Sequence, residues 1–173
     1  MRAFLLGLVL ALVAVSPGRA DVGQDRRKCV RAPSPQAEIA ACTRLLKTWR
    51  TTKAIRADAY FNRGVAYDNL KQYRQAISDY DQAIRINPRH ANAYNNRGNA
   101  YHGLKQYHRA IRDYDQAIRL NPRHAKAYYN RGLTYQHHLK SRRKAIADFR
   151  AAHKLQPWNS KYAAKVRSLG VEL

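Results

Sequence analysis

Glutamate is almost missing from this 173-residue chain. Only Glu38 and Glu172 occur, and with nine aspartates they face 33 lysines and arginines, a formal charge of +22. So one-sided a field resists self-association and attracts acidic proteins, anionic membrane or cell-surface polymers, or nucleic acid, without selecting among them. Cysteine is scarce too: Cys29 and Cys42 are the two present, and they are not spaced as the Cys-x-x-Cys of a redox site. A metal site would need more ligands near them. There is no Gly-rich phosphate loop, no Gly-x-Ser-x-Gly and no His-Glu-x-x-His. The few carboxylates mostly recur at fixed intervals, so the expectation is a protein that is not an enzyme and carries no cofactor. Long apolar runs are limited to residues 3–15. With 45% hydrophobic residues, the bulk of the chain can still bury a core and is not a disordered tail.

Residues 1–20 read as a secretory signal. Arg2 supplies a basic start, AFLLGLVLALVAV is too short for an ordinary membrane span, and Gly18-Arg19-Ala20 places small residues where a signal peptidase cuts. Cleavage after Ala20 is expected, with an uncleaved anchor as the alternative; the cut chain keeps 31 cations against 11 acids, or +20. Export makes the cysteine pair legible. In an oxidising compartment two cysteines thirteen positions apart usually form a bridge. Closing so short a loop contributes roughly 3 kcal/mol in the chain-entropy model. Two free thiols are the other reading.

The strongest signal is internal repetition. Residues 57–90 and 91–124 align without a gap and share 25 of 34 positions; a third copy at 125–159 has one extra residue between Tyr135 and Ala145. A period of 34 means stacked helical hairpins. Tyr60, Gly64, Tyr67 and Leu70 share one helical face, as do Ala76, Tyr80, Ala83 and Ile84 on the next helix. Small Gly64 and Ala76 permit close approach. Asn87-Pro88 ends the second helix, Asn by tolerating a left-handed exit and Pro by blocking continuation. Residues 35–48, with Ser34 as cap and Pro35 at the first position, read as a leader helix whose Ile39, Leu45, Leu46 and Trp49 cover the first hairpin. Residues 160–169 read as a closing helix with Tyr162 and Val166 inward, which makes Trp158 a packing residue. The stretch 21–34, polar and bearing Pro33, is expected to be ordered only by the disulfide. The organisation is thus 1–20 signal, 21–56 leader, three repeats at 57–90, 91–124 and 125–159, and a cap over 160–173.

Over residues 57–159 the chain resembles the tetratricopeptide-repeat family. The pattern appears as Tyr60, Gly64, Tyr67, Ala76, Tyr80, Ala83 and Pro88. It returns as Tyr94, Gly98, Tyr101, Ala110, Tyr114, Ala117 and Pro122, and again as Tyr128, Gly132, Tyr135, Ala145, Phe149, Ala152 and Pro157. The resemblance implies an all-α, right-handed superhelical solenoid of three helix-turn-helix repeats with flanking caps and a concave groove. Five of the nine differences between the first two copies fall where the family lines that groove: Asp58/Asn92, Phe61/Asn95, Val65/Asn99, Asp68/His102 and Asn69/Gly103. Selection for a partner and drift at exposed sites both account for this. Asn62, Asn96 and Asn130 recur at the sixth place. An amide carries an acceptor and two donors, so a ladder of them can grip an extended peptide by its backbone. The peptide-binding repeats of O-linked N-acetylglucosamine transferase use asparagines this way; bonding to helix backbone between hairpins is the competing role. Phe61, Asn99, His102, Lys126 and Tyr129 would then give selectivity. Asn62, Asn96, Asn99, Asn130 and Lys126 also match parts of the carboxylate clamp of co-chaperones. The fifth place holds Phe61, Asn95 and Tyr129 where a clamp needs Lys, so that match is incomplete.

Arg63, Arg97 and Arg131 precede each glycine, where the family usually has Leu. An inward Arg needs a carboxylate, and Asp79, Asp113 and Asp148 recur sixteen or seventeen residues later, predicting one structural bridge per repeat. The seven histidines suggest no metal: His90 and His124 should stand about 10 Å apart, a helix-pair layer, and adjacent His137 and His138 point apart. Arg74, Arg85, Arg109, Arg112, Arg119, Arg143, Lys144 and Lys154 are expected on the outer helices, and Arg89 and Arg123 in connecting turns. They form either a solvated exterior or a docking face for anionic lipid or polysaccharide. Nucleic acid is disfavoured, because an exported chain rarely meets it and nothing resembles a base-reading module. Together these features lead to an exported adaptor that holds a peptide or acidic protein segment in its groove. The short basic start, the Ala-Arg richness and the cysteine-bearing leader helix resemble small exported repeat proteins of Gram-negative bacteria, which implies a periplasmic or secreted bacterial setting. The alternative is a basic envelope-associated protein that binds anionic polymer through its outer face.

Overall fold

The computed structural model describes residues 22–48 and 51–170. Residues 1–20, expected to be a signal, and Trp49 lie outside them. Nine helices make up the described residues: α1 Val22–Val30, α2 Pro35–Lys47, α3 Lys53–Asn69, α4 Tyr73–Ile86, α5 Ala91–Gly103, α6 Tyr107–Leu120, α7 Ala125–His137, α8 Arg142–Leu155 and α9 Ser160–Arg167. Each packs on the next in sequence, and α3 also touches α5 as α5 touches α7. The first helices of the hairpins therefore stand side by side and line one surface, the arrangement of an all-α superhelical solenoid. Among the described residues no helix is long and apolar enough to cross a membrane.

One contact explains most of each hairpin's signature. Tyr80, Tyr114 and Phe149 are fully buried, and each sits against the glycine of its partner helix. A Cβ placed on Gly64, Gly98 or Gly132 would meet the ring's Cε1 at 2.7 Å. Glycine is required here for space. Burying each ring contributes about 2 kcal/mol. Ala76, Ala83, Ala110, Ala117, Ala145 and Ala152 are wholly buried beside the rings, small enough to let the helices close.

Helix ends differ from expectation in an instructive way. Asn87 and Asn121 follow α4 and α6 with φ of −128° and −138°, not in the left-handed region. Their Oδ1 atoms instead accept from the Arg89 and Arg123 N–H groups, turning the chain into the next repeat. The left-handed residues are lysines inside the hairpins, Lys71, Lys105 and Lys140, with φ of 58°, 61° and 47°. There the Gln72 and Gln106 N–H groups reach back to the Tyr67 and Tyr101 carbonyls at 2.9 Å. In the third hairpin Ser141 makes the same bond to Tyr135, so the extra residue is absorbed in the turn.

The ends of the stack correct two further expectations. Residues 22–30 form a helix, not a chain held only by its disulfide. Asp25 and Cys29 are buried, and Asp25 accepts from Arg44 Nε at 3.0 Å and Nη2 at 2.7 Å. Cys29 and Cys42 are bonded, joining α1 to α2 with their Cα atoms 4.7 Å apart. Val22, Asp25 and Cys29 do recur at helical spacing, but a buried charge in the stripe hides its apolar character. Ser34 caps α2 as expected, accepting from the Ala37 N–H at 3.2 Å. α3 starts earlier than 57, at a Thr52 cap whose side chain accepts from the Ile55 N–H. At the other end Tyr162 and Val166 of α9 bury against Tyr129 and Phe149. Leu155 and Leu169 join them, whereas Trp158 does not pack there and is 80% exposed.

Candidate functional site

The inner surface is built from α3, α5 and α7, and its centre is a network of amides. Asn95 is 4% exposed and donates through Nδ2 to Asn96 Oδ1 at 3.0 Å. Asn130, one repeat on, donates through Nδ2 to Asn95 Oδ1 at 3.2 Å and to Asn99 Oδ1 at 2.9 Å. Asn99 also accepts from the Tyr114 hydroxyl at 2.9 Å. Four asparagines and a tyrosine thus tie the second repeat to the third. Asn62 makes no side-chain hydrogen bond to any described residue. The Tyr80 hydroxyl lies near Asn96 without a well-formed hydrogen bond and is buried. Counting valences, Asn62 retains its acceptor and both donors, Asn96 its two donors, and Asn130 its acceptor.

The proposed selectivity residues are not alike in place. Lys126 is exposed. Phe61 packs on Tyr80, ring centroids 6.0 Å apart, with its ring 4.7 Å from that of His90. Tyr129 is 8% exposed, set against Phe149 and Tyr162 and covered by Lys161 Nζ at 5.0 Å from its ring. Both spend most of their surface on junctions between layers. His102 is half-buried and meets the rings of Tyr107 and His138 at 5.3 and 4.9 Å, while Tyr107 stacks on His138 at 3.8 Å. Burial lowers the His102 pKa, and the neighbouring His138 and His137 lower it further. Among the described residues no three His, Cys, Asp or Glu side chains are arranged to hold a metal ion.

Charge along the groove is uneven. The first repeat contributes Asp58 and Asp68, the latter with its pKa raised by burial. Lys126 stands in the third repeat. At the amino-terminal end α1 approaches α3, enclosing a hollow of about 100 Å³ lined by Arg26, Cys29, Val30, Leu45, Ile55, Asp58, Ala59 and Asn62.

The repeated arginines stand behind this surface. Arg63 grips Asp79 through Nε at 2.7 Å and Nη2 at 2.8 Å, Arg97 grips Asp113 at 2.8 and 2.7 Å, and Arg131 grips Asp148 at 2.9 and 2.6 Å. Sequence reasoning missed a second set of partners. Arg97 Nη1 also reaches Asp81 at 2.6 Å and Arg131 Nη1 reaches Asp115 at 2.5 Å, both on the preceding hairpin; Arg63 Nη1 reaches Thr43 of α2. Each Arg therefore bonds its own hairpin and the one before. The signal was visible in Asp79-Tyr80-Asp81 and Asp113-Tyr114-Asp115. The third copy reads Asp148-Phe149-Arg150, with arginine where the first two copies carry the second aspartate. Burial works against the Arg97 charge, but Asp113 and Asp81 more than offset it and raise its pKa. The outer cations Arg74, Arg85, Arg109, Arg112, Arg119, Arg143, Lys144 and Lys154 are all exposed.

Profiles of the tetratricopeptide repeat match residues 57–90 and 91–124, and a second such profile matches 113–147, together just over half the chain. No curated protein sequence matches. Solved structures do. The Arabidopsis OM64 TPR domain is 29% identical with a TM-score of 0.65, over 68% of this chain and 97% of that one. MamA is 26% identical with a TM-score of 0.64, over 74% and 72%. The first TPR of Spaghetti (RPAP3), solved with the HSP90 peptide SRMEEVD, is 25% identical with a TM-score of 0.64, over 71% and 96%.

Proposed function

Because the chain belongs to the tetratricopeptide-repeat family, we propose that it is a non-catalytic adaptor that holds an extended segment of a partner protein in its concave groove. The observation that carries this reading is the unused valence of the amide row. Asn96 offers donors to a peptide carbonyl, Asn130 offers an acceptor to a peptide N–H, and Asn62 offers both, so the row suits a backbone and not a particular side chain. The RPAP3 domain, similar over most of its length, holds a peptide whose end is acidic. In this chain an acidic end belongs near Lys126, away from Asp58 and Asp68. The bacterial envelope is the proposed compartment, on the strength of the apolar leader at 3–15 and the paired cysteines.

The test is capture of peptides from an envelope extract by the chain beginning at Asp21, compared with N62A and with N62A/N96A/N130A. Asn62 has no internal bond to lose, so N62A isolates recognition from folding. A loss of one or two hydrogen bonds worth about 1 kcal/mol each weakens capture roughly five- to thirtyfold in N62A, with an unchanged circular-dichroism melt. Equal capture by all three proteins ends the groove reading. If capture instead falls on reversing Arg85, Arg112 and Arg119, the outer face is the working surface.

A further inference from the structure

Trp158 is out of place for a soluble surface. It and Val30 are the only large apolar side chains exposed by half or more among the described residues. It sits in the turn Pro157-Trp158 between α8 and α9, at the repeat position that carries Arg89 and Arg123 in the two earlier turns. All three are exposed, so one edge of the solenoid presents Arg, Arg and Trp in successive layers. Beside that edge, where α6 turns into α7, lies a hollow of about 250 Å³ lined by Asn92, Asn121, Arg123, His124, Ala125, Lys126 and Gln156. Gln156, which lines the hollow, lies in the same turn as Trp158, two residues before it.

The hollow suits an anion. Its charged side chains are Arg123 and Lys126, no carboxylate lines it, and it opens at the amino-terminal end of α7, a thirteen-residue helix whose first N–H groups have no side-chain cap. His124 lines it as well; that side chain is nine-tenths buried and its Nε2 has no hydrogen-bond partner. The preceding junction is finished differently. There the His90 ring caps α5, its Nδ1 accepting from the Ala93 N–H, and Asp58 supplies a negative charge nearby. Asn92 replaces that aspartate at the second junction, so the cations there are left without a carboxylate.

We propose that this edge docks on an anionic phospholipid surface, with a headgroup phosphate in the hollow held by Arg123 and Lys126 and with Trp158 set into the interfacial layer beside it. Trp partitions to the headgroup level because its ring is apolar and its N–H polar. A single anchor binds reversibly, and the neighbouring cations supply the second attraction. The net charge of the chain adds long-range steering toward such a surface. This inference rests on the turn edge; it shares Lys126 with the peptide groove but does not require a peptide there.

The experiment uses the chain from Asp21, which contains every core residue named above and lacks the apolar leader. The change W49F leaves Trp158 as the sole tryptophan. Vesicles of equal parts phosphatidylglycerol and phosphatidylcholine should shift its emission to the blue; pure phosphatidylcholine vesicles and free inorganic phosphate should not. R123A/K126A should weaken partitioning roughly thirtyfold, from about fivefold per cation near the surface. R85A/R112A, the same charge change on the outer face, should weaken it much less. W158A should lose vesicle co-sedimentation while keeping its circular-dichroism melt. The proposal fails if Trp158 emission does not move on the anionic vesicles, or if the two double variants lose binding equally, the signature of diffuse charge attraction. It also fails if an acidic peptide, and not the vesicles, produces the R123A/K126A-sensitive shift.

Discussion

Replacing Arg97 by methionine should be the most damaging single change in the solenoid, and the geometry sets its size. The Arg97 side chain is 18% exposed and that of Asp113 8%, and the two share a bidentate pair. Methionine fills much of the volume but leaves Asp113 ionised, buried and unpaired. Removing one partner of a buried pair costs about 3–5 kcal/mol, most of it the stranded charge. The second carboxylate weighs less: Asp81 is 43% exposed, so D81N should cost no more than about 1 kcal/mol. The double variant R97M/D113L strands nothing and should be more stable than R97M alone. Urea unfolding followed by far-ultraviolet circular dichroism reads all three. A domain of this size has only about 5–15 kcal/mol to lose. Damage at the middle repeat should also split the transition, since each hairpin depends on its neighbours. The R97M deficit should shrink on acidification: burial already raises the Asp113 pKa, and a carboxyl that protonates no longer carries a stranded charge. An R97M cost below about 1 kcal/mol, or a double variant no better than R97M, would show that the pair is not buried as described.

Gly98→Ala tests the ring-on-glycine contact. A helix-interior glycine ordinarily gains about 1 kcal/mol on replacement by alanine, but here the new Cβ meets Tyr114 at 2.7 Å. The expected result is a loss of about 1–3 kcal/mol, and a stabilised variant refutes it. C29S/C42S should lower stability by roughly 3 kcal/mol and free α1 first; hydrogen exchange should quicken over residues 22–30 while α5 and α6 keep their protection. Stability should fall as pH drops from 7.5 to 5.5. Burial lowers the pKa values of His90, His102 and His124 in the fold, so the unfolded chain takes up protons first as pH passes its ordinary value near 6.5. Chemical-denaturant midpoints that stay level or rise across that window count against the buried histidines.

Repetition made much of this molecule legible. Three copies of one pattern supply three readings of the same contacts, so the hairpins, the need for small residues where their helices meet and the Arg–Asp pairs could be inferred from spacing; the ring seated on each glycine could not. The closing helix and the Ser34 cap were equally local, since each depends on residues adjacent in sequence. What escaped was what layers do to each other. The reach of Arg97 to Asp81 and of Arg131 to Asp115 depends on how far one hairpin sits from the next. The interlocking of Asn95, Asn96, Asn99 and Asn130 arises because neighbouring first helices stand side by side. α1 hid its face behind a buried aspartate whose partner, Arg44, lies nineteen residues away.

Sequence by itself determined the period, the number of hairpins, the excess of positive charge and the residues that must be small or aromatic. All of these follow from local helix geometry and composition. Tertiary structure alone decided which amides keep a free donor or acceptor, which recurring residues sink into junctions, and that Trp158 stands in solvent. Those outcomes depend on distances between helices that are remote in the chain, and a side chain's remaining hydrogen-bonding capacity is known only once its neighbours are in place.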